Sequence, residues 1–206
     1  YTIKEGIAIF KEDVLLFKPG TNYFYNSFDW VLVSLAMQEA SGIPFEGYVT
    51  EKVLKPLRMK NTVAEIQGKD YPNATSFYVK NRLGFREAIP VNNFYKLAGG
   101  GFLSTTVDIA KFGQTFLDNK SLNREVLSQF LTSEIINNKP TYYGLGWQVS
   151  QDSKGRDYYG HVGNGVGGYS NFYVYPKEQL VFSILMNSTN PKIQDVLDEV
   201  ISSIIG

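Results

Sequence analysis

The sequence predicts an α+β fold in which a mostly helical region precedes an antiparallel sheet closed by a C-terminal helix. Three observations carry this expectation. Apolar residues recur at helical spacing, with cap signals, up to about residue 131. Four short β-rich runs at close spacing follow Pro140. From Pro191 to Ile205 the pattern turns helical again, and Ile193, Val196, Leu197, Val200, Ile201 and Ile204 fall on one face. The predicted division is residues 1–140, mostly helical, and 141–206, sheet plus final helix, as parts of one structural unit.

Taken in order, Ile3, Ile7, Ala8 and Phe10 suit a short amphipathic helix over Thr2 to Lys11. The run Val14 to Phe17 then meets the Pro19-Gly20 break. An irregular stretch leads through Tyr25 to Ser27, a hydroxyl placed to cap a helix carrying Trp30, Val31, Val33, Leu35 and Ala36 and stopping at Ser41-Gly42. Pro44 suits the first turn of a second helix that runs to Pro56, so the pair should form a helical hairpin. Between Arg58 and Tyr95 periodicity is weak and Gly, Pro, Asn and Lys are frequent. That stretch predicts long connections and a short strand at Thr75 to Val79. Ser104 to Asp108 reads as a capped start for a helix with Ile109, Phe112, Phe116 and Leu117, and Asn123 to Leu131 as a shorter one. Strands are expected at Gly144 to Ser150, Asp157 to Val162, Tyr169 to Tyr175 and Leu180 to Met186, the last two joined by a turn at Pro176-Lys177-Glu178.

Composition narrows the function. Twenty basic and twenty acidic residues among 206 leave no net field to hold nucleic acid. No cysteine means no disulfide or thiolate chemistry, and a single histidine excludes a zinc site built from several His and Cys ligands. No metal or organic cofactor is implied. The longest apolar runs, Val31 to Met37 and Leu180 to Met186, fall far short of the ~20 residues a membrane span needs. With Tyr1 first and no basic, apolar leader, any targeting segment is expected to lie outside this sequence.

Two strings far apart hold the chemistry: Tyr25-Asn26-Ser27, behind Phe17-Lys18-Pro19-Gly20-Thr21, and Gly160-His161-Val162-Gly163. Between them, in order, stand Ala40-Ser41-Gly42 into Pro44, Lys55 to Thr62, and Gly99-Gly100-Gly101-Phe102-Leu103-Ser104-Thr105. Together they resemble the serine β-lactamase and penicillin-binding-protein superfamily, in its class C and esterase-like branch. The resemblance implies a β-lactamase/transpeptidase-like fold, an antiparallel sheet flanked by helices beside a mostly helical region, with the active site in the cleft between them.

It also implies acyl transfer through a serine acyl-enzyme on a β-lactam, a D-amino-acid peptide or an ester. The nucleophile of that superfamily lies in a Ser-x-x-Lys motif, and no Ser-x-x-Lys occurs in these residues. The chain therefore reads as a C-terminal portion carrying the helper groups without the serine, inactive on its own. Tyr25 matches the proton shuttle. A phenol with a reference pKa near ~10 is a weak base at neutral pH unless a cation assists it, and the lysine that would assist belongs to the absent motif. Ser27 stands where an Asn amide more often holds a substrate carbonyl, and a plain helix cap is its alternative reading. His161, in the variant of the family's Lys-Thr-Gly motif, would hydrogen-bond the tyrosine side of the cleft or a substrate carboxylate. Gly163 would let substrate lie against the strand, and Asn164 would lend a backbone N–H to the oxyanion hole.

Gly163 to Gly168 also satisfies G-x-G-x-x-G, but that fingerprint must open a helix, and the strand-like Tyr169 to Tyr175 follows. A nucleotide site is not expected. The runner-up function is a catalytically inactive fold of this family used as a binding or assembly module. A third arrangement restores the site with an N-terminal part arriving as another chain. Expected partners are a small-molecule or peptidoglycan-like substrate, and the missing segment or an oligomer partner over an open sheet edge. By resemblance alone, the setting is periplasmic or extracellular.

Overall fold

The computed structural model describes residues 2–118 and 122–206. Helix α1 (Ile3–Ile7) opens on a reciprocal cap: Thr2 Oγ1 accepts from the Glu5 N–H at 3.2 Å while Glu5 Oε2 accepts from the Thr2 N–H at 2.7 Å. Helix α2 (Asp29–Ser41) stops at Gly42, whose left-handed φ of 66° ends the spiral as its N–H returns to the Gln38 carbonyl.

The cap expected from Ser27 is not made. Phe28 holds the cap position, and Asn26 organises the turn by accepting the Phe28 N–H on Oδ1 at 3.0 Å. Asn26 reaches its own backbone two residues on, so the neighbouring hydroxyl is left for other work. Behind Pro44, α3 (Phe45–Val49) widens into a π-helical turn over Thr50–Leu54, and together they span the second predicted helix. Ile3, Val31, Phe45 and Leu97 bury together where these helices meet.

Strand β1 (Val63–Ala64) pairs with β4 (Phe102–Leu103), and β2 (Tyr78–Asn81) forms a hairpin with β3 (Gly84–Glu87). The strand expected at Thr75 to Val79 thus lies a few residues later, where Tyr78 also bridges to Ser188. Helix α4 (Leu97–Gly100) precedes β4. Helix α5 (Thr106–Leu117) is capped by Thr105, and α6 (Arg124–Phe130) by Asn123. Asp108 ties α5 to the loop before β1. Fully buried, its carboxylate accepts from the Asn61 N–H at 2.7 Å and the Thr62 hydroxyl at 3.2 Å, and pairs with Lys111 at 2.7 Å. Burial pushes its pKa up, but these partners outweigh burial and hold it below the usual carboxylate value.

A small hairpin, β5 (Ile135–Ile136) and β6 (Lys139–Pro140), turns through Asn137 and Asn138, both at positive φ. The main sheet follows: β7 (Gln148–Gln151), β8 (Asp157–Gly165), β9 (Gly168–Tyr175) and β10 (Leu180–Met186), all antiparallel in the order β10-β9-β8-β7. The run Gly163 to Gly168 spans the β8–β9 hairpin turn and opens no helix. Alternation along β9 gives the sheet two buried faces. Phe172 and Val174 pack with Trp147, Tyr159 and the aromatic side of α5, while Tyr173 and Tyr175 meet Ile201 of α7 (Gln194–Ile205). Gly113 lets α5 lie this close, since a Cβ there would sit 2.7 Å from both Phe172 and Val181. Among the described residues β10 pairs only with β9, leaving its outer edge open.

Candidate active site

Tyr25 arrives on an irregular segment fixed at both ends. Upstream, Thr21 closes the Pro19-Gly20 turn by donating its N–H and its hydroxyl to the Lys18 carbonyl. Downstream, the Asn26 turn leads directly into α2. Ser27 is set against α4, where a Cβ on Gly99 would lie only 2.8 Å from the Ser27 carbonyl oxygen. His161 and Gly163 alternate along β8, so they share a face of the sheet.

These segments converge. The Tyr25 and His161 rings lie 5.7 Å apart between centroids. Tyr25, Ser27, His161, Gly163 and Asn164 all line one cleft of about 780 Å³. Its far end is apolar, walled by Phe112, Phe116, Phe130, Trp147 and Phe172. An adjoining hollow of about 580 Å³ shares Tyr25 and His161 and adds Tyr23, Gln148 and Ser150, so the two rings stand in a wall between two openings. Asn164 is held at the rim by its side chain, whose Oδ1 accepts the Asn190 N–H at 2.8 Å.

The third member of that wall, Tyr143, has no counterpart in the sequence-based expectation. Its ring lies 5.5 Å from Tyr25 and 5.6 Å from His161, edge-on to the imidazole. Its hydroxyl sits 2.8 Å from His161 Nε2, and His161 Nδ1 lies 2.8 Å from the Val162 carbonyl. A carbonyl only accepts, so Nδ1 carries the proton, and in the neutral ring Nε2 accepts from Tyr143. Burial lowers the His161 pKa, only partly opposed by the Val162 carbonyl, which favours this neutral tautomer at pH 7. Burial first, then the neighbouring Tyr25 and Tyr23 phenols, push Tyr143 well above the ordinary phenol range.

The chemistry available follows from these bonds. Both imidazole nitrogens are engaged, and the hydrogen bond to the tyrosine side is made with Tyr143. Tyr143 keeps its proton and is nearly buried, whereas Tyr25 is 39% exposed and faces the cleft. Of the two phenols, Tyr25 is the one placed to exchange a proton with something bound there. The strand expected at Gly144 to Ser150 also begins later, at Gln148. Gly144 and Gly146 instead shape a loop that presses Tyr143 inward, with Gly146 at a φ of 89°. Among the described residues no group of three or more His, Cys, Asp and Glu side chains is placed to hold a metal ion. Among the described residues no helix is long and apolar enough to cross a membrane.

Comparison with known proteins bears on this geometry. The sequence model named Beta-lactamase matches residues 4–204. The chain belongs to the Beta-lactamase family. It is 32% identical over 215 residues to the serine beta-lactamase-like protein LACTB, mitochondrial, of Bos taurus, a match covering 91% of this chain and 38% of that protein. To a putative D-alanyl-D-alanine carboxypeptidase of Escherichia coli it is 24% identical over 172 residues, covering 71% of this chain and 39% of the other. The chain thus spans under two fifths of either relative. Among solved structures, a penicillin binding protein from Bacillus halodurans superposes with a TM-score of 0.84 at 20% identity, over 98% of this chain and 62% of that one. At that identity the likeness speaks for the fold, which is the β-lactamase/transpeptidase-like α+β arrangement. The names of these relatives, a serine beta-lactamase-like protein and a putative D-alanyl-D-alanine carboxypeptidase, place them with acyl-group hydrolases.

Proposed function

We propose that this chain supplies the proton-transfer and strand side of a serine acyl-transfer site whose nucleophile comes from residues outside these 206. The observation that carries the reading is the 5.7 Å approach of Tyr25 to His161 across a single cleft. In this reading a serine hydroxyl enters beside Tyr25, which takes its proton as the acyl carbon is attacked and returns it to the leaving group. Tyr143 and His161 form the fixed backing. The phenol donates to Nε2, the imidazole donates to Val162, and the resulting pair holds the Tyr25 ring in place by tilted ring contacts. The Asn164 backbone N–H contributes to the oxyanion hole, and Ser27 and Gly163 contact the substrate. The apolar far end of the cleft would seat the element that carries the serine.

The substrate is an acyl compound, a β-lactam, a D-amino-acid peptide or an ester, and the relatives named as a putative D-alanyl-D-alanine carboxypeptidase and a D-aminopeptidase support the peptide. The periplasmic or extracellular setting stays a proposal, since the bovine relative is named mitochondrial.

Two measurements test this. The 206-residue chain, incubated with a chromogenic cephalosporin, a nitrophenyl ester and a serine-directed phosphonate, is expected to gain no covalent mass; phosphonylation of any of its serines would sink the division of labour. The full-length protein should be labelled by the phosphonate on a serine outside residues 1–206. Failure of that labelling would favour the inactive binding module.

A further inference from the structure

The β2–β3 hairpin carries a surface that the cleft does not use. Its turn is only two residues, Arg82-Leu83, closed by Gly84 at a φ of 117°, so the tip is narrow and its side chains stand clear of the body. Leu83 is 97% exposed and Phe85 66%, and Ile89 just beyond β3 is exposed as well. Lys80 and Arg82 accompany them and Arg86 stands on the opposite face of the hairpin, all three exposed, with Glu87 at the end of β3 as the acid next to them. Lys80 faces Phe85 directly across the ladder, with Nζ 5.7 Å from the ring centre.

The base of this finger is fixed. The Tyr78 N–H donates to the Asn187 carbonyl at 3.0 Å, the Thr189 N–H to the Tyr78 carbonyl at 3.2 Å, and the Ala88 N–H to the Phe77 carbonyl at 2.7 Å. Thr189 in turn holds the β8–β9 turn, accepting from the Gly167 N–H and donating to the Gly165 carbonyl. The hairpin is therefore anchored next to the end of the strand that lines the cleft, with its tip unpartnered.

We propose that this hairpin docks on an anionic lipid surface. Leu83 and Phe85 enter the boundary between headgroups and acyl chains, and Lys80, Arg82 and Arg86 meet the lipid phosphates. The whole chain is charge-neutral, so the three cations form a local feature matched to a negative surface. The combination also selects the partner. An acidic protein or a nucleic acid would satisfy the cations but leave an almost fully exposed leucine at the leading edge in water. A bilayer interface takes both, because Lys and Arg stems lie along apolar surface while their charged ends stay among the headgroups.

The test is cosedimentation of the full-length protein with vesicles of phosphatidylcholine alone and with vesicles about a third phosphatidylglycerol. Binding is expected only to the latter, falling about fivefold for each of Lys80→Gln, Arg82→Gln and Arg86→Gln. The Leu83→Ser/Phe85→Ser pair should also weaken binding while leaving thermal unfolding unchanged. A Leu83→Trp protein should give blue-shifted emission quenched by brominated acyl chains. No binding to the anionic vesicles would overturn the proposal, as would binding indifferent to the Leu83/Phe85 pair, or capture by single-stranded RNA at salt that leaves the vesicles unbound.

Discussion

Tyr25→Phe removes one oxygen from the cleft and little else. The ring that meets Tyr143 at 5.5 Å and His161 at 5.7 Å remains, and the residue is 39% exposed on a segment outside any helix or strand. The fold should lose less than about 0.5 kcal/mol. If this phenol shuttles the proton, acylation in the full-length protein should fall by about 10²–10⁴, equivalent to about 2.7–5.4 kcal/mol of barrier. Tyr143→Phe divides the effects the other way. Its nearly buried hydroxyl bonds His161 Nε2 at 2.8 Å, so deletion strands a buried acceptor and should cost about 1–3 kcal/mol of stability. Its effect on acylation should be smaller, since the lost oxygen only steadies the imidazole. The assay is single-turnover release of nitrophenol from an ester by the full-length protein, alongside thermal unfolding of each variant. If Tyr25→Phe reacts within about threefold of the parent while Tyr143→Phe is dead, the shuttle has been assigned to the wrong phenol.

Stability predictions rest on three other positions. Asp108→Ala deprives the Asn61 N–H, the Thr62 hydroxyl and Lys111 of their common acceptor. Lys111 is partly solvated and can rehydrate, so the loss should be about 2–4 kcal/mol by denaturant titration, and Asp108→Asn should recover part of it. For His161, burial lowers the folded pKa below the unfolded value of about 6.5, so the unfolded chain binds the extra proton. Stability is therefore fully present above that pH and declines as pH falls through it towards the folded pKa. Melting temperature should drop as pH falls from about 7.5 through the unfolded histidine value, and His161→Gln should flatten that drop. Gly113→Ala sets a helix-propensity gain of about 1 kcal/mol against overpacking of about 1–3 kcal/mol on Phe172 and Val181. A lowered melting temperature is expected, and a raised one would mean that the sheet yields at this point.

The legible part of the fold was the part encoded locally. Thr105 and Asn123 announce their helices because a cap is a contact between a side chain and the next few amides, and β8, β9 and β10 appear because four closely spaced strands leave little choice but antiparallel pairing. Tyr25 and His161 stood out as candidates through the strings around them and their order along the chain, and the fold brings both to one cleft. Ser27 was misplaced for an equally local reason: two side chains at adjacent positions could serve the same turn, and spacing does not say that Asn26 takes it.

Tyr143 marks the limit of such reading. Periodicity makes Gly144 to Ser150 a plausible strand, yet a Cβ on Gly144 would fall 2.2 Å from the Phe130 carbonyl oxygen, so this glycine is fixed by a contact with the end of α6. That contact keeps residues 143–147 out of the strand, turns Leu145 and Trp147 to the cleft, and brings the Tyr143 hydroxyl to the one histidine. The sequence contains a visible trace of this in Tyr143-Gly144-Leu145-Gly146-Trp147, aromatic residues separated by glycines. Its meaning comes only from what the glycines press against. The partner that bonds His161 Nε2 was therefore written in the packing of α6 against the loop, while the residues proposed to exchange protons and hold substrate stood in the motifs.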